Sequence, residues 1–202
     1  PLKETGQIRA DNATRVDWND VCPNNGEVEI YLIGNPPYAG AKTQKPEQKE
    51  DYRFVFGDRA YSKNLDYIAL WFLKGADYIA GTAAALAFVT TNSVAQGEHV
   101  ALMFPMIFDR GLEIGFAYTS FKWENNAKRN AGVTVAVIGL RAARPRPKCI
   151  YTDDLRIVAD NINGYLADGP DVFIERRKRP LGAQLPEMVF GSMPRDGGGL
   201  IL

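Results

Sequence analysis

The sequence has 202 residues, of which 46% are hydrophobic and 24% are charged, and its formal net charge at pH 7 is zero. This composition is typical of a globular protein with one large domain or one and a half, and the balanced charge means that any nucleic-acid-binding surface must be local. Two cysteines exclude a disulfide framework and fit a reducing cytosol. No apolar run reaches membrane-spanning length.

The first predicted element is a short strand that begins at Ile8 and ends at Asp11 and Asn12. Asn12 is predicted either to cap the turn that follows or to hydrogen-bond a ligand. Residues 19–27 are rich in Asn, Pro and Gly, and this composition predicts a surface turn.

An apolar run at residues 30–33 predicts a buried parallel strand that ends at Gly34. Pro36 and Pro37 follow, and proline cannot continue a sheet ladder because it has no N–H and a fixed φ. The residue before a proline is pushed towards extended backbone, and Asn35 is such a residue because Pro36 follows it. The sequence therefore predicts a rigid arch at the carboxyl end of a strand, where open α/β sheets bind their ligands.

This arch suits chemistry on an amine attached to a planar ring, whose nitrogen lone pair is delocalised into the ring. The Asn35 side-chain oxygen and the Pro36 carbonyl are two acceptors that could localise that lone pair by hydrogen-bonding both N–H groups. Tyr38 could then stack on the ring. The alternative interpretation is an ordinary proline turn after a strand, since short motifs are hypotheses until their context confirms them.

The next elements alternate between helix and strand. Residues 39–63 predict a long polar loop at the substrate entrance, and helical spacing of apolar residues follows at 65–80. A buried strand is predicted at 84–89, and then a helix at 94–110 that carries His99, the single histidine. His99 is expected to lie at the surface or in helix packing, because the pattern offers no partner for a general base.

Two β-rich segments at 112–121 and 132–140 predict an antiparallel end to the sheet, and the element order as a whole predicts an α/β fold. The basic, proline-rich residues 141–148 predict a domain boundary. A second basic run is a candidate for phosphate contact, although charge runs are usually solvated surface. It consists of Arg176, Arg177, Lys178 and Arg179.

The motif at Asn35–Tyr38 resembles the catalytic motif of the amino-methyltransferases, which move a methyl group from S-adenosylmethionine to nitrogen. Together with residues 87–98, 116–123 and 131–139, it makes the chain similar to the DNA adenine-N6 methyltransferases of the MmeI-like restriction-modification enzymes. The resemblance implies part of a Rossmann-like class I methyltransferase sheet with an antiparallel last strand. Residues 1–143 would be the C-terminal part of the methyltransferase domain, and residues 144–202 would be the start of a smaller target-recognition region.

The same resemblance implies the cofactor S-adenosylmethionine, a double-stranded DNA partner with a flipped adenine, no metal and a location in the bacterial cytoplasm. It assigns catalysis to the motif, contact with the flipped base to Phe121 and Trp123, and donor binding to Asn12 and Asn35. DNA contact by the basic run at 176–179 is expected from its charge. The motif residues are Asn35, Pro36, Pro37 and Tyr38.

The main departure from the family is that no glycine-rich donor-binding loop precedes Asn12. The chain is therefore expected to be part of a longer protein, to be inactive and to bind the donor poorly on its own. It is also expected to self-associate through an open sheet edge. Two alternatives stay open at this point. The chain could belong to a methyltransferase for another planar amine or amide, such as an RNA base or a glutamine side chain, or it could be a non-catalytic nucleic-acid-binding module.

Overall fold

The computed structural model describes residues 7–122, 134–176 and 184, and within these ranges the protein has an α/β fold. The three described helices are α1 (Pro46–Phe56), α2 (Ala69–Ile79) and α3 (Glu98–Phe108). The six described strands are β1 (Tyr31–Gly34), β2 (Ala85–Thr91), β3 (Leu112–Lys122), β4 (Thr134–Ala142), β5 (Lys148–Tyr151) and β6 (Arg156–Ala159). None of these helices has both the length and the apolar character needed to cross a bilayer.

The six strands form one mixed open sheet with the order β1-β2-β4-β3-β5-β6. The pairs β1/β2 and β3/β5 are parallel, whereas β4 runs antiparallel to both of its neighbours, β2 and β3. The predicted α/β class is therefore present. The antiparallel strand is present too, but it lies inside the described sheet, with β3, β5 and β6 beyond it, and not at its end.

The core lies between the sheet and the helices. β2 alternates between buried and half-buried residues, and the Phe72 ring of α2 meets the Phe88 ring of β2 edge to face, with centroids 5.4 Å apart. A Cβ at Gly75 would lie only 2.6 Å from Leu86 Cδ2, so glycine is what lets α2 approach β2 this closely.

The prediction of a loop over residues 39–63 was wrong for its middle part, which forms α1. Pro46 occupies the first turn, where its missing N–H costs nothing, and the Gln48 side chain accepts a hydrogen bond from the Lys45 N–H. The apolar face of α1 consists of Tyr52, Val55 and Phe56, whose i, i+3, i+4 spacing was the signal for a helix. The charged residues that precede Tyr52, from Glu47 to Asp51, hid this period.

The strand that carries the motif pairs in parallel with β2 as predicted, but it is not buried. Tyr31 is 68% exposed and Ile33 is 79% exposed. β1 ends the described sheet, so one of its edges has no strand beside it in the described part of the chain. An apolar run indicates that a strand is suited to burial, but it does not indicate what covers it.

The basic segment predicted as a domain boundary leads directly into more sheet. β5 pairs with β3 and β6 pairs with β5, and the sheet thus extends past residue 143. The division between residues 1–143 and 144–202 stays a prediction.

Candidate active site

The predicted arch begins where β1 ends. Asn35, Pro37 and Tyr38 are exposed, Pro36 is buried, and Tyr38 keeps 42% of its surface accessible. Asn35 and the Tyr38 ring can therefore meet a ligand, while Pro36 fixes the arch against the protein. The condition that would have favoured a non-catalytic binding module, an arch closed to solvent, is not met.

The arch is fixed to the start of α2 by a carboxylate. Asp66 is 6% exposed, and its Oδ1 accepts hydrogen bonds from the Ala39 N–H at 3.1 Å and from the Ile68 N–H at 3.0 Å. The Tyr67 N–H in turn donates to the Ala39 carbonyl at 3.0 Å. The residue that follows Tyr38 is thus held from both sides by the chain that begins α2. Sequence reasoning missed this role, because nothing local links Asp66 to residue 39.

A second anchor lies beneath the arch. The Gln44 Nε2 group donates to the Ala39 carbonyl at 3.1 Å and to the Leu65 carbonyl at 2.9 Å. The Tyr52 hydroxyl of α1 also donates to Leu65 O at 2.9 Å, and burial raises the pKa of Tyr52 well above its ordinary value. Tyr52 therefore stays a neutral donor, and α1 supports the arch from below.

A cavity of about 650 Å³ opens beside the arch, which is within the usual size range of small-molecule sites. Asn35, Pro36 and Pro37 form one side of it, and the rest is mainly apolar. The other walls include Leu32 and Ile33 of β1, Trp71 and Tyr78 of α2, and Trp18 and Val21 from the segment before β1.

The segment at 11–20 is held in place as a cavity wall by a buried charge network. Asp51 of α1 is 1% exposed and accepts hydrogen bonds from Asn12 Nδ2 at 3.0 Å and from Arg15 Nε at 2.7 Å. The Tyr67 hydroxyl donates to the same carboxylate. Burial opposes ionisation of Asp51, but these three bonds outweigh it and hold the pKa of Asp51 below its ordinary value.

Asn12 acts as a turn cap in this network. Its side-chain oxygen accepts hydrogen bonds from the Thr14 N–H at 3.0 Å and the Thr14 hydroxyl at 2.8 Å, in addition to the Asn12 amide bond to Asp51. The adjacent residues Asp11 and Ala13 line the cavity. The role of Asn12 in donor binding stays a prediction, and its backbone position is beside the cavity.

The end of β2 brings a second set of polar groups to the same edge of the sheet. Gly34 pairs with Phe88, so Asn35 and Pro36 lie level with the last residues of β2. The hydroxyl groups of Thr91 and Ser93 are 2.8 Å apart, and Asn92 Oδ1 accepts a hydrogen bond from Ser120 of β3. The two strands whose ends carry these polar groups, β1 and β2, are therefore neighbours.

The remaining predicted site residues are placed as follows. Phe121 is half-buried near the end of β3, and its ring meets Tyr118 edge to face at 5.1 Å. Arg176 is exposed and lines a small cleft together with Lys42, Glu98 and His99. Trp123, Arg177, Lys178 and Arg179 lie outside the described residues. Among those that are described, His, Cys, Asp and Glu nowhere gather in the threes that would hold a metal ion.

The fold and the site define an α/β domain with a mainly apolar cavity near the carboxyl end of two parallel strands. Comparison with known proteins identifies it further: residues 1–152 match the family model described as MmeI, DNA-methyltransferase domain. The chain belongs to this family, and the resemblance predicted from the sequence is confirmed.

Two relatives show how far the similarity extends. The chain is 46% identical to DNA methyltransferase A of Bacillus subtilis (strain 168) over 202 residues, which is 100% of the chain and 23% of that protein. The structure of the Type IIL restriction-modification enzyme MmeI in complex with DNA matches with a TM-score of 0.87 and 40% identity, over 98% of this chain and 27% of that one. The chain thus spans about a quarter of each relative.

Proposed function

We propose that this chain carries the base-binding and catalytic part of a DNA adenine-N6 methyltransferase that uses S-adenosylmethionine. The observation that carries the proposal is the arch: Asn35 is exposed and lines a cavity, and Tyr38 is exposed three residues later, on backbone that Asp66 anchors to the start of α2. Membership of the MmeI DNA-methyltransferase domain family supports it.

The chemistry assigned to the arch is positioning and polarisation of an amine. Asn35 Oδ1 and the Pro36 carbonyl accept hydrogen bonds from the two N6 hydrogens, which localises the lone pair on nitrogen. When bound, the donor supplies an electrophilic methyl group on its sulfonium, so that the C–S electron pair stays on sulfur and one N6 proton leaves to water. Asn35 and Pro36 hold N6 in line for this transfer, and such positioning requires no general base.

The size and lining of the cavity support this choice of donor. Its volume of about 650 Å³ and its mainly apolar walls suit an adenosyl group. The charged groups of Arg9 and Asp11, which lie 3.9 Å apart, also line it. Asn35 lines the same cavity and is the residue that would lie between donor and base.

The target base must leave the duplex before its N6 group can reach the arch. Tyr38 is proposed to stack on the flipped base together with Phe121 or Trp123, and the basic run from Arg176 to Arg179 to contact phosphates. The MmeI structure that matches this chain was determined in complex with DNA.

The test is Asn35→Ala in the full-length native protein, with N6-methyladenine formed in unmethylated genomic DNA measured by mass spectrometry. Removing one oriented polar group should lower turnover by about 100-fold. Asn25→Ala is the matched control, because Asn25 is an exposed asparagine whose amide bonds only locally, to Glu27. Methylation near the wild-type rate by Asn35→Ala would refute the mechanism. Methyl transfer to RNA or protein but not to DNA would favour the planar-amide alternative.

A further inference from the structure

One hydrogen bond at the candidate site joins two strands that are not neighbours. The Ser120 hydroxyl near the end of β3 donates to Asn92 Oδ1, just beyond the end of β2, at 3.0 Å. β4 lies between these strands, and adjacent strands are about 4.8 Å apart. The short 3-10 helix Asn92–Ala95 must therefore lean over the start of β4 for the two side chains to meet.

Ser120, which donates this bond, lies at a β-bulge of β3. Tyr118 pairs with Val137 and Phe121 pairs with Val135, so two residues, Thr119 and Ser120, stand opposite Ala136 alone. An extra residue of this kind bends the strand and redirects the side chains that follow it.

Ser120 also has strained backbone. Its φ is +46°, in the left-handed region that non-glycine residues rarely occupy. Such a conformation persists only where surrounding contacts hold it. The bond to Asn92 is a contact of this kind, and the next residue along the chain is Phe121.

We propose that Asn92 and Ser120 form a clamp that holds the bulge and thereby positions the Phe121 ring for contact with the flipped base. They are positioning residues: neither is assigned a contact with base or donor. The inference rests on the proposed function, since it assigns Phe121 a place against the base. It adds to that function two residues that act through Phe121. One of them, Asn92, follows β2 and thereby helps to hold the end of β3, on the other side of β4.

The experiment is a double-mutant cycle in the full-length native protein, with kcat for DNA methylation as the readout. Loss of one hydrogen bond, through Asn92→Ala, should lower kcat about fivefold. In a Phe121→Ala background the same change should have no further effect, because the clamp acts through that ring. Asn92→Asp keeps the acceptor oxygen and should restore most of the rate.

Ser120→Ala removes the hydroxyl and keeps a side chain that is strained at this φ, so it tests the bond without relieving the strain. It should be as slow as Asn92→Ala, and it also serves if Asn92→Ala does not fold. Wild-type kcat for Ser120→Ala, or equal losses from Asn92→Ala with and without Phe121, would overturn the clamp. If Asn35→Ala is slow while the clamp variants are not, only the clamp fails; if Asn35→Ala keeps the wild-type rate, the proposed function fails.

Discussion

The anchor between the arch and α2 makes a strong prediction for Asp66→Ala. This change leaves the buried Ile68 N–H and the partly buried Ala39 N–H without their acceptor. An unsatisfied buried group costs about 1–3 kcal/mol and a partly exposed one about 1, so the free energy of unfolding should fall by about 2–4 kcal/mol. Urea denaturation of the chain measures this loss directly.

The matched control is Asp66→Asn, which keeps Oδ1 as an acceptor for both N–H groups and removes only the charge. It should therefore lose less than half as much stability as Asp66→Ala. The arch should also loosen in Asp66→Ala, so that methylation by the full-length protein falls even at temperatures where the variant is folded. A free energy of unfolding within about 0.5 kcal/mol of the wild type, the scale of a neutral surface substitution, would refute the assigned role of Asp66.

Three further predictions concern the base, the cavity wall and the sheet edge. Tyr38→Ala should weaken base binding by about 1–3 kcal/mol whereas Tyr38→Phe should be mild, because stacking and not the hydroxyl is proposed to matter; equal losses in a DNA titration would contradict this. The pKa of Asp51 lies below its ordinary value of 3.8, so its charge stabilises the fold above that pH and the benefit disappears as the pH falls through the folded-state pKa. The difference in melting temperature between wild type and Asp51→Asn should accordingly be largest near neutral pH and shrink in acid, and a gap that does not change with pH would count against the network. The exposed edge of β1 should make the isolated chain self-associate, and Ile33→Lys should reduce this in sedimentation velocity; a wild-type chain that stays monomeric at high concentration would show that the edge is protected.

Local patterns allowed the strand and the arch to be predicted. An apolar run followed by Asn35 and two prolines constrains its own backbone, and the structure places all of these residues at the end of β1. The anchors could not be predicted in this way. Asp66 is 27 residues from Ala39, and Asp51 is 39 residues from Asn12, so only the folded chain brings these partners together.

The exposure of β1 shows a different limit. Ile33 has the residue type of a buried strand, and burial depends on which elements cover the strand, which the pattern of one segment does not contain. The clamp was hidden for a related reason, because a serine with positive φ and a bond across an intervening strand leave no periodic signal in the sequence.

The arch is held in place by the helices and their flanking residues more than by the sheet. Within the described ranges β1 pairs with β2 alone, and it is four residues long, so local opening of this strand breaks few hydrogen bonds. Ala39 is tied instead to Asp66, Tyr67 and Gln44. If β1 frayed, Ala39 would still be tied to these residues. Tyr38 would therefore stay attached to the start of α2, and the motif would keep its shape while the strand before it opens.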